Sequence, residues 1–192
     1  MTTETGMHML HSGRVVDGVT MLPTAMDIVQ GLANLHRYGG QTASRWTVLD
    51  HSILVAALVG RSKYGSESHV WAHALLHDWH ECLTGDIPTP FKTSDMQELQ
   101  QQLDEAMFTR IGLQELTEEE GLYLKALDHN VLIMERMFVH PNAMLEVEDV
   151  LSLELIDWLR DNSDLVPTIS AISTQTKADV FHEELLKLGV EQ

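Results

Sequence analysis

The stretch HALLHDWHECLTGDIPTPFK, from His73 to Lys92, carries the pattern that decides the fold and the chemistry of this chain. An apolar run from Ala72 to Leu76 leads directly into His77 and Asp78, and the pattern predicts one helix from Ser66 to Leu83. The glycine and prolines that follow stop this helix. Because polar side chains on a buried helix face are costly unless they are paired or bind a ligand, the histidine and the aspartate predict a site.

Helical periodicity continues on both sides of this stretch and predicts an all-α protein. Thr24 and Thr117 are the predicted N-caps of two of the helices. The predicted helices are Ala25 to His36, Thr47 to Arg61, Ser94 to Ile111, Thr117 to Val139, Val147 to Arg160 and Lys177 to Leu188. Residues 7 to 22 alternate loosely around turn-forming pairs and predict a short N-terminal hairpin or extended arm. We expect a single domain over residues 1–192, with its core at about 24–140 and C-terminal helices at 147–190.

Composition narrows the classes of function. The 192 residues carry a formal net charge of -17, which disfavours binding to a nucleic-acid polymer because such binding requires basic patches. A small phosphorylated substrate remains open, since a metal ion and a few cations can reverse the field locally. The single cysteine, the lack of a secretion signal at the start and the lack of a membrane-spanning apolar run predict a cytoplasmic protein with no membrane partner.

Polar residues lie on the apolar faces of three predicted helices. His51 shares a face with leucines and a valine, Asp128 does the same, and His77 and Asp78 follow an apolar run. Each residue alone is more simply explained as a hydrogen-bonded core group or a cap. Together, two histidines and two aspartates favour a divalent transition ion such as Mn, Co, Ni, Fe or Zn, with coordination positions left for water or a phosphate oxygen.

At this point the residues resemble a known family. The order His51, His77-Asp78, Asp128 resembles the H…HD…D signature of HD-domain phosphohydrolases. The stretch from His73 to Lys92 closely resembles HD-domain 5'-deoxynucleotidases, and LHRYGGQTASRWTVLDHS (Leu35 to Ser52) is similar to phage and bacterial members of the same group. The resemblance implies an all-α HD-domain bundle in which His51, His77, Asp78 and Asp128 hold the metal.

The resemblance also implies roles for residues around the metal. Glu81 would be the general acid or base, and Asp86 would contact the deoxyribose or orient water. Arg37 and Lys92 match phosphate-binding positions, and Tyr38 stands where the family often has a tryptophan beside the substrate.

Three further residues have interpretations of their own. Trp46, in the loop before His51, is the best candidate among the tryptophans to stack on a base, although helix-borne aromatics more often pack in the core. His73 and His80 lie near the helix face of His77 and Glu81, which leaves open a second divalent ion or an extra phosphate contact. The order His-Asp-Trp-His-Glu lacks the HExxH spacing of zinc proteases, so that class is excluded.

The leading hypothesis is therefore a metal-dependent phosphohydrolase that converts deoxynucleoside 5'-monophosphates to nucleoside and phosphate. A similarity to small phage dATP triphosphohydrolases keeps triphosphate hydrolysis as the alternative. A non-catalytic nucleotide-binding HD scaffold and an acidic helical partner-binding module remain open as hypotheses from other classes. The resemblance also implies a homo-oligomer, without fixing the number of subunits.

Overall fold

The structure, a computed structural model, describes residues 8–17, 19–140 and 153–192. A small antiparallel hairpin, β1 (His8–Met9) and β2 (Val15–Val16), precedes the helices. The helices are α1 (Ala25–Asn34), α2 (Val48–Gly60), α3 (His69–Leu76), α4 (Glu81–Thr84), α5 (Ser94–Ile111), α6 (Glu118–Val139), α7 (Leu153–Asn162), α8 (Leu165–Ala171) and α9 (Thr174–Lys187), with short 3-10 turns at Arg37–Gly40 and Thr89–Phe91. The prediction of an all-α bundle with a short N-terminal hairpin is confirmed.

Capping boxes fix where three of the helices begin. Thr24 caps α1, Thr47 caps α2 and Thr117 caps α6. In each case the hydroxyl accepts from a backbone N–H three residues on, and an acidic side chain at that position bonds back to the cap. The N-caps predicted at Thr24 and Thr117 are confirmed, because this signal depends only on residues a few positions apart.

Helix α2 runs through the middle of the bundle and is buried on two sides. Its residues Val48, Leu49 and Ala56 belong to a hydrophobic cluster with α1, α5 and α9. Leu54 and Val55 belong to a second cluster with α3, α6, α7 and α8. A helix that is apolar around most of its surface is expected at the centre of a domain. His51 is consequently held in the interior with 0% of its surface exposed.

The prediction of one continuous helix from Ser66 to Leu83 is wrong, because the helix is interrupted between α3 and α4. The backbone N–H groups of Trp79 and Glu81 donate to carbonyls only three residues back, each at 3.0 Å. The His77 ring donates from Nδ1 to the Ala74 carbonyl at 2.8 Å, and in a regular α-helix that carbonyl would accept from Asp78. The interruption therefore falls at the pair of residues predicted to bind metal.

The C-terminal part departs from the sequence prediction in its boundaries. The predicted start of a helix at Val147 lies outside the described residues, and α8, which contains Pro167 in its first turn, was not predicted. Helix α9 begins three residues before the predicted Lys177, after an N-cap at Ser173. Buried Lys177 forms an ion pair with Asp50 and donates to the Ile169 carbonyl, which joins α9 to α2 and α8.

A close approach between α1 and α4 depends on a glycine. A Cβ atom on Gly31 would lie 2.6 Å from the Cβ of Cys82, closer than two carbon atoms can pack. The missing side chain lets α4 rest directly on α1, and α4 begins with Glu81. No helix in the described part of the chain is long and apolar enough to cross a membrane.

Candidate metal centre

The four predicted metal ligands meet at one point. His51 Nε2 lies 3.0 Å from His77 Nε2 and 3.1 Å from the Oδ1 atom of Asp128. The Oδ2 atom of Asp78 lies 3.5 Å from the first ring nitrogen and 3.2 Å from the second. Helix α2, the interruption after α3 and helix α6 each contribute to this cluster. Residues up to 77 positions apart in the sequence, His51 and Asp128, are thus brought within coordination range of one ion.

Hydrogen bonds on the far side of each imidazole set its tautomer. His51 Nδ1 lies 2.7 Å from a carboxylate oxygen of Glu135, and His77 Nδ1 lies 2.8 Å from the Ala74 carbonyl. Both partners accept, so each Nδ1 carries the hydrogen and each Nε2 presents a lone pair. This second contact on the non-ligating nitrogen is the usual arrangement of metal-binding histidines in proteins.

The electrostatics of the cluster favour a cation at this point. Burial lowers the pKa of His77, but the carboxylates of Asp78 and Asp128 more than offset burial and raise it to about 10. The pKa of Asp78 is held well below its usual range, against the effect of burial, chiefly by His77. Two imidazole nitrogens with two carboxylates therefore fit a divalent transition ion, which would take the place of the proton that these carboxylates favour on His77.

The ligand cluster opens into a pocket of about 540 Å³. This volume lies within the usual range of small-molecule sites, roughly 300–1,000 Å³. The pocket is lined by Arg37, Tyr38, Asp78, Glu81, Asp86, Ile87, Pro88, Thr89, Pro90, Lys92, Asp128, Leu132 and Arg136. Seven of these are residues that the sequence predicted as ligands, catalytic groups or substrate contacts.

Glu81 forms one wall of the pocket with a carboxyl that lacks close donors. Its side chain is 3% exposed, and Oε2 has no hydrogen-bond partner among the residues that the structure describes. The Nζ atom of Lys92 lies 3.7 Å from the other oxygen. Burial, with the nearby charges of Asp78 and Asp86, raises the pKa of Glu81 to about 9. At neutral pH this carboxyl is therefore protonated and can donate.

A strained turn presents Arg37 and Tyr38 to the pocket. Tyr38 adopts φ 57°, which is unfavourable for a bulky residue, and Gly39 and Gly40 continue the left-handed path at 61° and 77°. The Tyr38 N–H donates to the Oδ2 atom of Asp86 at 3.2 Å, joining this turn to the Gly-Asp-Ile-Pro segment. Backbone strain of this kind is concentrated at functional sites, where surrounding contacts maintain it.

The sequence prediction missed Glu135, which forms the floor beneath the pocket. This carboxylate is 0% exposed and accepts hydrogen bonds from the side chains of His51, Trp46, Arg37 and Tyr38. Although burial raises its pKa, the charges of His51 and Arg37 and the hydrogen bonds lower it to about 2. The available signal was spacing, since Glu135 follows Asp128 by two helical turns on the same face of α6.

Trp46 requires a correction. The residue predicted as a base-stacking candidate is 0% exposed and packs within the second hydrophobic cluster, with its indole N–H donating to Glu135 at 2.8 Å. A ring without accessible surface cannot stack on a substrate in this arrangement. Its position in the loop before His51 suggested access to solvent, but the indole N–H donates to a buried carboxylate.

Arg136 is a second pocket residue that the prediction missed. It lies next to Glu135 on α6 and lines the pocket together with Leu132. Arg136 follows Asp128 by eight positions, so the same helical face supplies a ligand, a floor carboxylate and a cation.

Two histidines left open by the sequence have separate environments. His73 donates to the Gln114 carbonyl at 2.9 Å and packs edge-on against Phe108, which is a structural role. His80 lies 3.0 Å from Asp104 through Nδ1, and within the described part of the chain its buried Nε2 has no partner. Ligand-capable atoms of Asp78, His80 and Glu81 lie within 4.8 Å of one another, so a second divalent ion stays a prediction.

Comparison with known proteins adds two findings. The family model described as 5'-deoxynucleotidase YfbR-like matches residues 25–152, the part of the chain that contains every residue of the cluster and the pocket. An uncharacterized protein of Rhodobacter capsulatus is 38% identical over 112 residues, which cover 53% of this chain and 56% of that protein. The chain thus spans about half the length of this curated relative.

Proposed function

The chain belongs to the 5'-deoxynucleotidase YfbR-like family, and from that premise we propose that it hydrolyses deoxynucleoside 5'-monophosphates to nucleoside and phosphate. The observation that carries the proposal is the convergence of His51, His77, Asp78 and Asp128 at the edge of the pocket. These residues would hold a divalent ion of the group Mn, Co, Ni, Fe and Zn. Such an ion supplies polarisation of a phosphoryl oxygen and activation of water.

Glu81 is suited to protonate the leaving group. When water attacks the phosphorus, the bond between phosphorus and the 5' oxygen breaks, and that oxygen needs a proton to leave as a hydroxyl. Burial and neighbouring carboxylates raise the pKa of Glu81 to about 9 in the metal-free protein, which favours a carboxyl that carries the proton the leaving oxygen needs. Asp86 lies on the same pocket lining and is proposed to contact the deoxyribose or to orient water.

The distribution of positive charge supports one phosphate rather than three. Arg37 contacts Glu135 through Nε, and its Nη1 atom lies 3.7 Å from Asp78. Its proposed phosphate contact is therefore made by a guanidinium already anchored in place. Lys92 and Arg136 are the other cations of the described lining, which also contains the carboxylates of Asp78, Asp86 and Asp128. This limited positive charge matches a monophosphate better than the larger negative charge of a triphosphate.

The test is product analysis with all four deoxynucleoside mono-, di- and triphosphates, in the presence of Mn²⁺, Co²⁺ or Zn²⁺. Wild type, Asp78→Ala and the control Asp161→Ala, an exposed aspartate on α7, would be compared by chromatography. We expect nucleoside and phosphate from monophosphates with wild type and the control, and no turnover with Asp78→Ala.

Two results would contradict the proposal in different ways. Release of inorganic triphosphate would favour the triphosphohydrolase alternative. Absence of turnover from folded, metal-loaded wild type would favour a nucleotide-binding scaffold without catalysis. A homo-oligomer stays a prediction from the family resemblance, and size-exclusion chromatography with light scattering would test it.

A further inference from the structure

Glu135 touches the metal cluster and the substrate pocket without lining the pocket itself. We infer that Glu135 is a positioning residue that holds His51 as the Nε2-ligating tautomer and fixes Arg37 and Tyr38 relative to the metal. The inference rests on the proposed function, because it assumes that the cluster binds an ion.

The geometry of the carboxylate carries the inference. Oε1 accepts from His51 Nδ1 at 2.7 Å and from Trp46 Nε1 at 2.8 Å. Oε2 accepts from Arg37 Nε at 3.1 Å and from the Tyr38 hydroxyl at 2.9 Å. An ionised carboxylate can accept about four hydrogen bonds, so all of its capacity is used. Each of the four donors is a different side chain, and all come from the segment between residues 37 and 51.

The position of Glu135 on α6 gives these contacts a common reference. The same helix carries Asp128 two turns earlier, so one rigid element holds a metal ligand and the acceptor of a second ligand's N–H. Because Asp128 belongs to α6 and His51 is hydrogen-bonded to Glu135 on α6, this helix fixes the distance between His51 and Asp128. The turn that bears Arg37 and Tyr38 is hydrogen-bonded to the same carboxylate.

A neutral amide cannot replace this carboxylate. In Glu135→Gln one oxygen can still accept two hydrogen bonds, but the new NH₂ group would face either Trp46 or Arg37, and both of these side chains can only donate. Either the His51 and Trp46 pair or the Arg37 and Tyr38 pair loses its acceptor. The shape of the side chain is kept, so the substitution tests hydrogen bonding rather than packing.

A second buried ionic contact offers a matched control. Lys177 pairs with Asp50, the residue next to His51 on α2, and neither Lys177 nor Asp50 lines the pocket. Lys177→Met removes one partner of a buried ion pair and therefore lowers stability without removing a contact of any ligand. A purely structural role for Glu135 would give both variants the same behaviour.

The experiment is calorimetric titration of metal-free protein with Co²⁺, followed by steady-state kinetics on a deoxynucleoside monophosphate at saturating Co²⁺. We expect Glu135→Gln to weaken Co²⁺ binding by about 10- to 100-fold, as loss of a histidine's carboxylate partner does elsewhere. We also expect a raised KM that added metal does not restore, because Arg37 and Tyr38 have lost their anchor. Lys177→Met should lower the melting temperature and leave the Co²⁺ affinity unchanged.

Wild-type protein supplies a second measurement in case Glu135→Gln does not fold. Long-range ¹⁵N spectra of histidine-labelled, Zn²⁺-loaded wild type should show His51 protonated at Nδ1. Protonation at Nε2, or wild-type Co²⁺ affinity in folded Glu135→Gln, would overturn the inference and leave the proposed function standing. Wild type that binds no Co²⁺ would overturn the proposed function and the inference with it.

Discussion

Two buried glutamates next to the proposed metal ligands have opposite properties. Glu135 on the floor and Glu81 on the wall are 0% and 3% exposed. Four donors surround Glu135 and its pKa is lowered to about 2, although burial acts to raise it. Glu81 has the charges of Arg37 and of Lys92, at 3.7 Å, but burial with two neighbouring aspartates outweighs them and raises its pKa to about 9. At neutral pH one is an anion and the other is an acid.

The difference shows that donors, rather than residue type or burial, assign the two roles. A carboxylate whose acceptor capacity is filled has no proton to exchange and serves to hold its neighbours. A carboxyl left without donors beside other negative charges keeps its proton and can deliver it. Pairs of carboxyl groups whose environments separate their pKa values in this way are typical of acid-base sites.

The largest effect is expected on kcat when Glu81 loses its exchangeable proton. Glu81→Gln keeps the size of the side chain but removes the exchangeable proton, so kcat should fall by about 10²- to 10⁴-fold. The Co²⁺ affinity should stay close to that of wild type, because the four proposed ligands are intact. Steady-state kinetics and calorimetry on the same preparation measure both quantities. A kcat near that of wild type would show that Glu81 is not the proton donor.

A smaller effect is expected when Lys92, the lysine beside Glu81, is removed. Lys92→Ala takes away a charge proposed to bind phosphate, and charged hydrogen bonds contribute about 1.5–3 kcal/mol, or roughly 10- to 100-fold in kcat/KM. The loss should appear mainly in KM. Lys125→Ala, an exposed lysine on α6, is the matched control and should leave KM unchanged. Equal KM values for wild type and Lys92→Ala would remove Lys92 from the binding site.

The raised pKa of Glu81 should also make the stability of the metal-free protein depend on pH. The pKa of Glu81 is raised from 4.5 to about 9, so between these pH values the folded state binds more protons than the unfolded state. The free energy of unfolding therefore falls as pH rises through this window. Glu81→Gln lacks this loss and should be more stable than wild type by several kcal/mol at pH 8, since each pKa unit corresponds to about 1.4 kcal/mol, with no difference below pH ~4.5.

Denaturant titration at several pH values measures that difference. Glu98→Gln, an exposed glutamate on α5, removes the same charge at the surface and should show no comparable gain. A Glu81→Gln variant that is less stable than wild type at pH 8 would contradict the high pKa.

The smallest effect is expected from a change in the contact between α1 and α4, the helix that begins with Glu81. In Gly31→Ala the added Cβ would lie 2.6 Å from the Cβ of Cys82, which forces α1 and α4 apart. Overpacking costs about 1–3 kcal/mol, and the better helix propensity of alanine offsets about 1 kcal/mol of it. We expect a net loss of about 1 kcal/mol and a small decrease in kcat, measured by denaturant titration and kinetics. Unchanged stability would show that α4 can shift without cost.

The same two glutamates mark the limit of sequence prediction. The caps at Thr24 and Thr117 and the inward position of the four proposed ligands were predictable, because each depends on residue types at short spacing or on the periodicity of one helix. Glu135 was missed because its partner Arg37 lies 98 residues away, and only the folded chain brings the two together. The protonation of Glu81 depends on burial by several elements, which no local pattern contains.

Two errors have the same physical origin. The helix predicted through residues 66–83 is interrupted where the His77 ring takes the Ala74 carbonyl, and helical periodicity does not register a side chain competing with the backbone. Trp46 was placed at the substrate because it lies in a loop, but its indole is buried on Glu135. A side-chain hydrogen bond overrode the expected pattern in both cases, a local one at His77 and a long-range one at Trp46.

The central claim is that one ion at His51, His77, Asp78 and Asp128 supports monophosphate hydrolysis. The most direct measurement titrates Co²⁺ into metal-free wild type and Asp78→Ala while the visible absorption of protein-bound Co²⁺ and phosphate release from a deoxynucleoside monophosphate are followed together. In wild type, both signals should rise in parallel and saturate near one equivalent, and Asp78→Ala should give neither. Phosphate release that is independent of added Co²⁺, or that persists in Asp78→Ala, would contradict the claim.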